Sequence, residues 1–137
     1  MARNVFLSFV QEDLDLVNLF RGQAKKEDSQ LEFQDYSIKE PINSRNAEYI
    51  KQQIRDLIKK VSVTTVLIGY GTHTSDWVAW EVETSADLGK GLVGVRLHSS
   101  SSDLVPQALT KQKAEIVDWD IKEIVRAIER AAKKAGF

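Results

Sequence analysis

Residues 62–81 decide the fold: Ser62-Val63-Thr64-Thr65-Val66-Leu67-Ile68, then Gly69-Tyr70-Gly71-Thr72-His73-Thr74, then Ser75-Asp76-Trp77-Val78-Ala79-Trp80-Glu81. The first seven are almost all β-branched or aliphatic, the pattern of a strand buried on both faces. Two glycines break it. Ser75 and Asp76 then stand where a helix begins, because a serine oxygen can accept an orphan amide of the first turn. The segment reads as strand, tight turn, helix. Trp77 and Glu81 lie four residues apart and share one helix face, which sets a lone carboxylate beside an indole at the mouth of a sheet.

Working outward, Val5-Phe6-Leu7-Ser8-Phe9 is a short apolar run, read as a buried strand. Gln11-Glu12-Asp13 opens a helix whose apolar face is Leu14, Val17, Leu19 and Phe20. Residues 22–30 are polar, a solvated helix end and loop. Leu31 to Tyr36 alternates as an edge strand does. A loop with Pro41 follows, and Asn43 or Ser44 is expected to cap the next helix, which carries Ala47, Ile50, Ile54, Leu57, Ile58 and Val61 at helical spacing.

The central strand at 62–68 comes next, and its helix is expected over about 75–88 with Gly89 and Gly91 as the stop. Leu92 to Leu97 is a further strand. Residues 98–110, with serines at 99–102, read as one long connection. Ala114 to Val117 is a last short strand. Asp120 and Glu123 form a capping box ahead of a final helix with Ile121, Ile124, Val125 and Ile128 inward.

Five strands alternating with helices imply an α/β, flavodoxin-like three-layer domain spanning 1–137. Its sheet is parallel, in the order 2-1-3-4-5, with helices on both faces. In such sheets ligands bind at the carboxyl ends of the strands where the order reverses, between strands one and three. That rule selects two loops, residues 8–12 and residues 69–77. The second leads to Glu81.

Composition narrows the function. The chain has 137 residues with 19 basic against 20 acidic side chains, net −1. No basic patch stands out, so nucleic acid is not expected as a partner. The absence of cysteine removes thiol nucleophiles and disulfides and fits a reducing cytoplasm. Two histidines, His73 and His98, are too few for a histidine-rich metal site. Met1-Ala2-Arg3-Asn4 runs straight into the first strand with no signal peptide, and no apolar run approaches the ~20 residues of a membrane span.

Two stretches carry a resemblance. Val5-Phe6-Leu7-Ser8-Phe9 is similar to the first-strand signature of Toll/interleukin-1 receptor (TIR) domains. Ser75-x-Trp77-Val78-x-x-Glu81 resembles their helix motif, whose glutamate is catalytic in the NAD-cleaving members. Asp35 to Pro41 is unlike the second loop of animal receptors and more similar to the bacterial Thoeris-type (ThsB-like) proteins of anti-phage defence. The resemblance covers residues 4 to about 132. Asn4 and Val10-Gln11 depart from it, replacing an acidic residue and basic residues respectively.

The resemblance implies an NAD+ nucleosidase or ADP-ribosyl cyclase with Glu81 as the catalytic residue. It implies Ser8, Phe9, Val10, Gln11, Asp35, Tyr36, His73 and Trp77 around the substrate, and NAD+ as substrate with no cofactor and no metal. It further implies a homo-oligomer on activation and a separate effector reached by a nucleotide signal. Partial burial is expected to lift the Glu81 pKa a little above about 4.3 while leaving it charged at neutral pH.

Each residue has a plainer reading as well. The plainer reading of Glu81 is a solvated helix glutamate, as for Glu83. Trp77 and Trp80 read as packing, Ser8 as a strand end, Asp35 and Tyr36 as caps of the second strand, His73 as loop surface. A non-catalytic adaptor assembling through the loop from Lys39 to Ser44 stays open. A phosphoacceptor receiver or a flavodoxin does not fit, because strand three ends in Ile68-Gly69 rather than aspartate and Phe9-Val10-Gln11-Glu12 is not a phosphate loop.

Overall fold

The computed structural model describes residues 3–27, 30–36, 40–100 and 104–137. Five parallel strands, β1 (Arg3–Ser8), β2 (Leu31–Gln34), β3 (Val63–Ile68), β4 (Gly91–Arg96) and β5 (Glu115–Asp118), form one sheet in the order β2-β1-β3-β4-β5. This is the flavodoxin-like order expected from the alternation of elements. β3 sits at the centre with all six residues buried, as its unbroken apolar run requires.

Side-chain alternation along the strands sorts residues between two helical layers. Val5 and Leu7 of β1, and Val63 and Leu67 of β3, face α1 (Leu14–Glu27) and α5 (Ile121–Lys134). Phe6 of β1 faces the other way, onto Ile50, Ile54 and Ile58 of α2 (Ala47–Lys59). Val66 and Ile68 pack with Val78 and Val82 of α3 (Asp76–Asp87) and with Leu109 of the short α4 (Gln107–Lys111). Ser8 shares the parity of Phe6, so the tip of β1 presents its hydroxyl to the α3 side.

The helix boundaries that matter follow from caps. Ser75 Oγ accepts the Val78 amide at 3.1 Å, and Gly89, at φ +74°, turns the chain beyond the end of α3. Asp120 Oδ1 accepts the Glu123 amide in the same way at the start of α5. We expect Ser75→Ala to cost ~1 kcal/mol of stability, read as a lowered denaturation midpoint with an unchanged denaturant slope.

Three sequence expectations are corrected, and the solvated helix end expected from Gly22 is found. Neither Asn43 nor Ser44 caps α2. The chain makes further turns there, with Ser44 N–H on Pro41 O and Ala47 N–H on Ser44 O, so the helix starts after Asn46, whose amide donates to the Glu40 carboxylate. Leu19 is not on the apolar face of α1 but 62% exposed, because Val17, Phe20 and Ala24 set the buried stripe. α1 continues through Gly22 to Glu27. The connection after β4 contains α4, too short to show a period but anchored by the fully buried Leu109. Residues 37–39, at the head of the loop considered for assembly, lie outside the described residues, as do two of the four consecutive serines, at 101 and 102.

Candidate active site

β1 and α3 meet where Ser8, the last residue of β1, reaches the second turn of α3. Ser8 Oγ donates to Glu81 Oε1 at 2.6 Å, and both residues are buried, Glu81 only 2% exposed. Seventy-three positions separate them in the chain. Glu83, two residues on, is exposed. The solvated-helix reading therefore applies to Glu83 and not to Glu81.

Burial of this depth changes the carboxyl group. Desolvation pushes the Glu81 pKa up to about 8; the Ser8 hydrogen bond opposes this, and the negative charge of Asp35 adds to it. The expectation of a slightly perturbed, charged glutamate is thus overturned. Glu81 has no ion-pair partner among the described residues, and an unpaired carboxylate is too costly in this interior, so the group holds its proton at neutral pH in the folded protein.

Further hydroxyls steady the helix behind the acid. Ser85 Oγ, one turn along α3, lies 2.7 Å from the Glu81 backbone carbonyl and 2.7 Å from Thr64 Oγ1 on β3. These bonds pin α3 to the central strand at the level of Glu81. On the loop side, Gly69 N–H donates to Thr72 Oγ1 at 2.8 Å, fixing the turn that leads from β3 to α3.

A cleft of about 290 Å³ opens above this point, and Phe9, Val10, Gln11, Tyr36 and Trp77 are in its walls. Five of the eight residues implied as substrate contacts are therefore gathered there. Ser8 directly precedes Phe9, and Glu81 lies one turn beyond Trp77, so the buried pair sits next to the cleft on both the strand and the helix side. Trp77 is further held by its indole N–H, which donates to Glu40 O at 2.8 Å, and by an edge contact with Trp80 at 5.8 Å.

Asp35 and His73 stand apart. Asp35 is half-buried and forms an ion pair with Arg21 of α1. It acts on Glu81 through its charge. His73 is exposed on the turn and is not in the cleft wall. Sequence reasoning misses Arg21, Thr72, Ser85 and Thr64, whose partners lie on other elements or across a turn, and also Glu12 and Thr74, which line the cleft. The loop positions of Glu12 and Thr74 are the available signal, since both fall in the two segments the strand order selects.

A larger cleft, about 590 Å³, lies at the opposite end of the sheet between the last turns of α3 and α5, with Lys90, Lys113 and Lys134 on its walls. It lacks a buried acid. The candidate site is chosen by the buried Glu81 and its surroundings, not by cleft size.

Comparison with known proteins shows the family. Residues 6–102 match the family model described as "Thoeris protein ThsB, TIR-like domain". Over 103 residues the chain is 31% identical to a Bacillus cereus (strain MSX-D12) protein named "Putative cyclic ADP-D-ribose synthase ThsB1", covering 72% of this chain and 54% of that protein. The chain thus spans about half the length of that curated relative. Among solved structures, a 3-dehydroquinate dehydratase-like protein from Bifidobacterium longum superimposes with a TM-score of 0.53 at 14% identity, over 97% of each chain, a likeness of fold alone. The family match contains the end of β1 with Ser8 and all of α3 with Glu81, and this chain belongs to the family of the Thoeris protein ThsB TIR-like domain.

Proposed function

We propose that the chain cleaves NAD+ at the bond between nicotinamide and ribose, with Glu81 as the catalytic carboxylate, and forms a cyclic ADP-ribose-type signal. The observation that supports this most is the buried acid, the only one among the described residues, joined to Ser8 beside the cleft at the β1–β3 switch point. The name of the Bacillus cereus relative points the same way.

The chemistry suits one acid. In NAD+ the nicotinamide is already cationic, so its departure needs little protonation. The C1′–N1 bond breaks with both electrons leaving on neutral nicotinamide, and the ribosyl group is left as an oxocarbenium-like cation. A carboxylate beside C1′ stabilises that charge. The resting acid is protonated, yet a pyridinium cation entering the cleft favours the ionised form, as any nearby positive charge does. Substrate binding then expels the Glu81 proton. Capture of the cation by a group on the same nucleotide gives a cyclic isomer and releases one proton; capture by water gives ADP-ribose and one proton.

NAD+ is substrate in this scheme and no cofactor is used. Turnover takes place in the cytoplasm, in a homo-oligomer formed on activation, and the nucleotide product acts on a separate effector. Incubating the protein at high concentration with NAD+ and resolving the products by chromatography tests the reading. Stoichiometric nicotinamide with a cyclic isomer supports it. ADP-ribose alone corrects the product, and intact NAD+ under every assembly condition leaves the adaptor reading in its place.

A further inference from the structure

The turn that brings Gly71 into the cleft wall also carries Tyr70. The Tyr70 ring lies on His98 with centroids 4.3 Å apart and 7° between the planes, and its hydroxyl is 2.8 Å from Ser100 Oγ. Tyr70 is nevertheless 55% exposed. With one ring face covered by His98, that exposure belongs to the other face. The ring is therefore held flat at both ends while contributing little to the core.

Its base is also fixed. A Cβ at Gly69 would collide with the Asp13 carboxylate, so the chain leaving β3 is packed flush against the loop after β1. Thr72 ties the far side of the same turn to the Gly69 amide. A rigid, half-open aromatic surface thus stands at the tips of β3 and β4, beside the cleft above Glu81.

Size supplies the second argument. Pockets that enclose small molecules run from about 300 to 1,000 Å³, and this one, near 290 Å³, lies just below that range. It has room for one end of a dinucleotide. If nicotinamide and its ribose sit beside Glu81, the adenine lies outside the cleft. The β2 side is closed by Tyr36 and by Trp77, which is tied to Glu40. On the β3 side the wall runs through Gly71, the residue directly after Tyr70.

We infer that Tyr70, backed by His98, is the stacking platform for the adenine base of the dinucleotide. The inference rests on the proposed function and deepens it. A base stacked on an aromatic side chain contributes ~1–3 kcal/mol by alanine substitution, equivalent to about 5- to 150-fold in affinity.

The test is calorimetric titration of AMP, ADP-ribose and nicotinamide mononucleotide, which lacks adenine, into the wild-type chain, Tyr70→Ala and Tyr70→Phe. Tyr70→Ala is expected to weaken AMP and ADP-ribose by about 5- to 150-fold and to leave nicotinamide mononucleotide unchanged, which also shows that the variant is folded. Tyr70→Phe, keeping the ring and losing the Ser100 bond, is expected to retain most of the affinity. AMP binding that ignores Tyr70, or an equal loss for the mononucleotide, overturns the platform while the proposed function stands. Failure of the wild type to bind any of the three overturns both.

Discussion

Between about pH 5 and pH 9, the wild-type chain is expected to lose stability relative to Glu81→Gln by on the order of 5 kcal/mol. The cause is the depth at which Glu81 is buried. Its pKa rises from 4.5, the ordinary value, to about 8 in the folded protein, and a displacement by one pH unit is worth ~1.36 kcal/mol. An acid with a raised folded pKa keeps its proton in the native state after the unfolded chain has released it. The native state then binds more protons, and unfolding becomes easier as pH increases. The decline starts near 4.5, where the unfolded carboxyl ionises, and is complete above about 8, where the folded one does. Glutamine is neutral at all these values, nearly isosteric, and still offers Oε1 to the Ser8 hydroxyl. Denaturant unfolding of both proteins across this range measures the difference directly. Curves that stay parallel contradict the buried, protonated glutamate.

In the proposed mechanism the same ionisation controls catalysis in the free protein. Only the ionised acid stabilises a ribosyl cation, so kcat/KM for NAD+ is expected to rise about tenfold per pH unit below about 8 and then level off. Stability and activity therefore have opposite pH dependences, both set by one side chain. This trade is characteristic of sites whose charged form is kept out of water until substrate arrives.

Much of the fold is legible in the sequence because it depends on local signals. The unbroken apolar run of β3 needs burial on both faces, and the Ser75 oxygen with the Gly89 break marks the ends of α3. Alternation of strands and helices then restricts the sheet to few orders. The site is legible in part for the same reason. Spacing alone puts Trp77 and Glu81 on one helix face, and the strand order selects the loops that hold Phe9, Val10, Gln11 and Trp77.

What cannot be read depends on contacts between distant elements. The Ser8–Glu81 bond and the Arg21–Asp35 pair follow from how α1 and α3 lie on the sheet, and no local pattern encodes them. The extent of Glu81 burial is of this kind, which is why residue type alone leaves its pKa near about 4.3 while the folded chain displaces it upward. Leu109 anchors a helix of five residues, too brief for periodicity to reveal. Asn43 and Ser44 have the residue type of a cap, but the turns closed by Pro41 O and Ser44 O delay the start of α2 until after Asn46.

In the proposed reaction NAD+ is cleaved at Glu81. Loss of a preorganised group that stabilises transition-state charge lowers turnover by about 10²–10³-fold. Because Glu81→Gln preserves the packing and the Ser8 contact, that loss is expected without unfolding. The decisive measurement is nicotinamide released from NAD+ by wild type and Glu81→Gln, each at high protein concentration above about pH 8, where the wild-type acid is ionised. Release by the wild type with a fall of that size in the folded variant agrees with the account. Equal release by both proteins contradicts it.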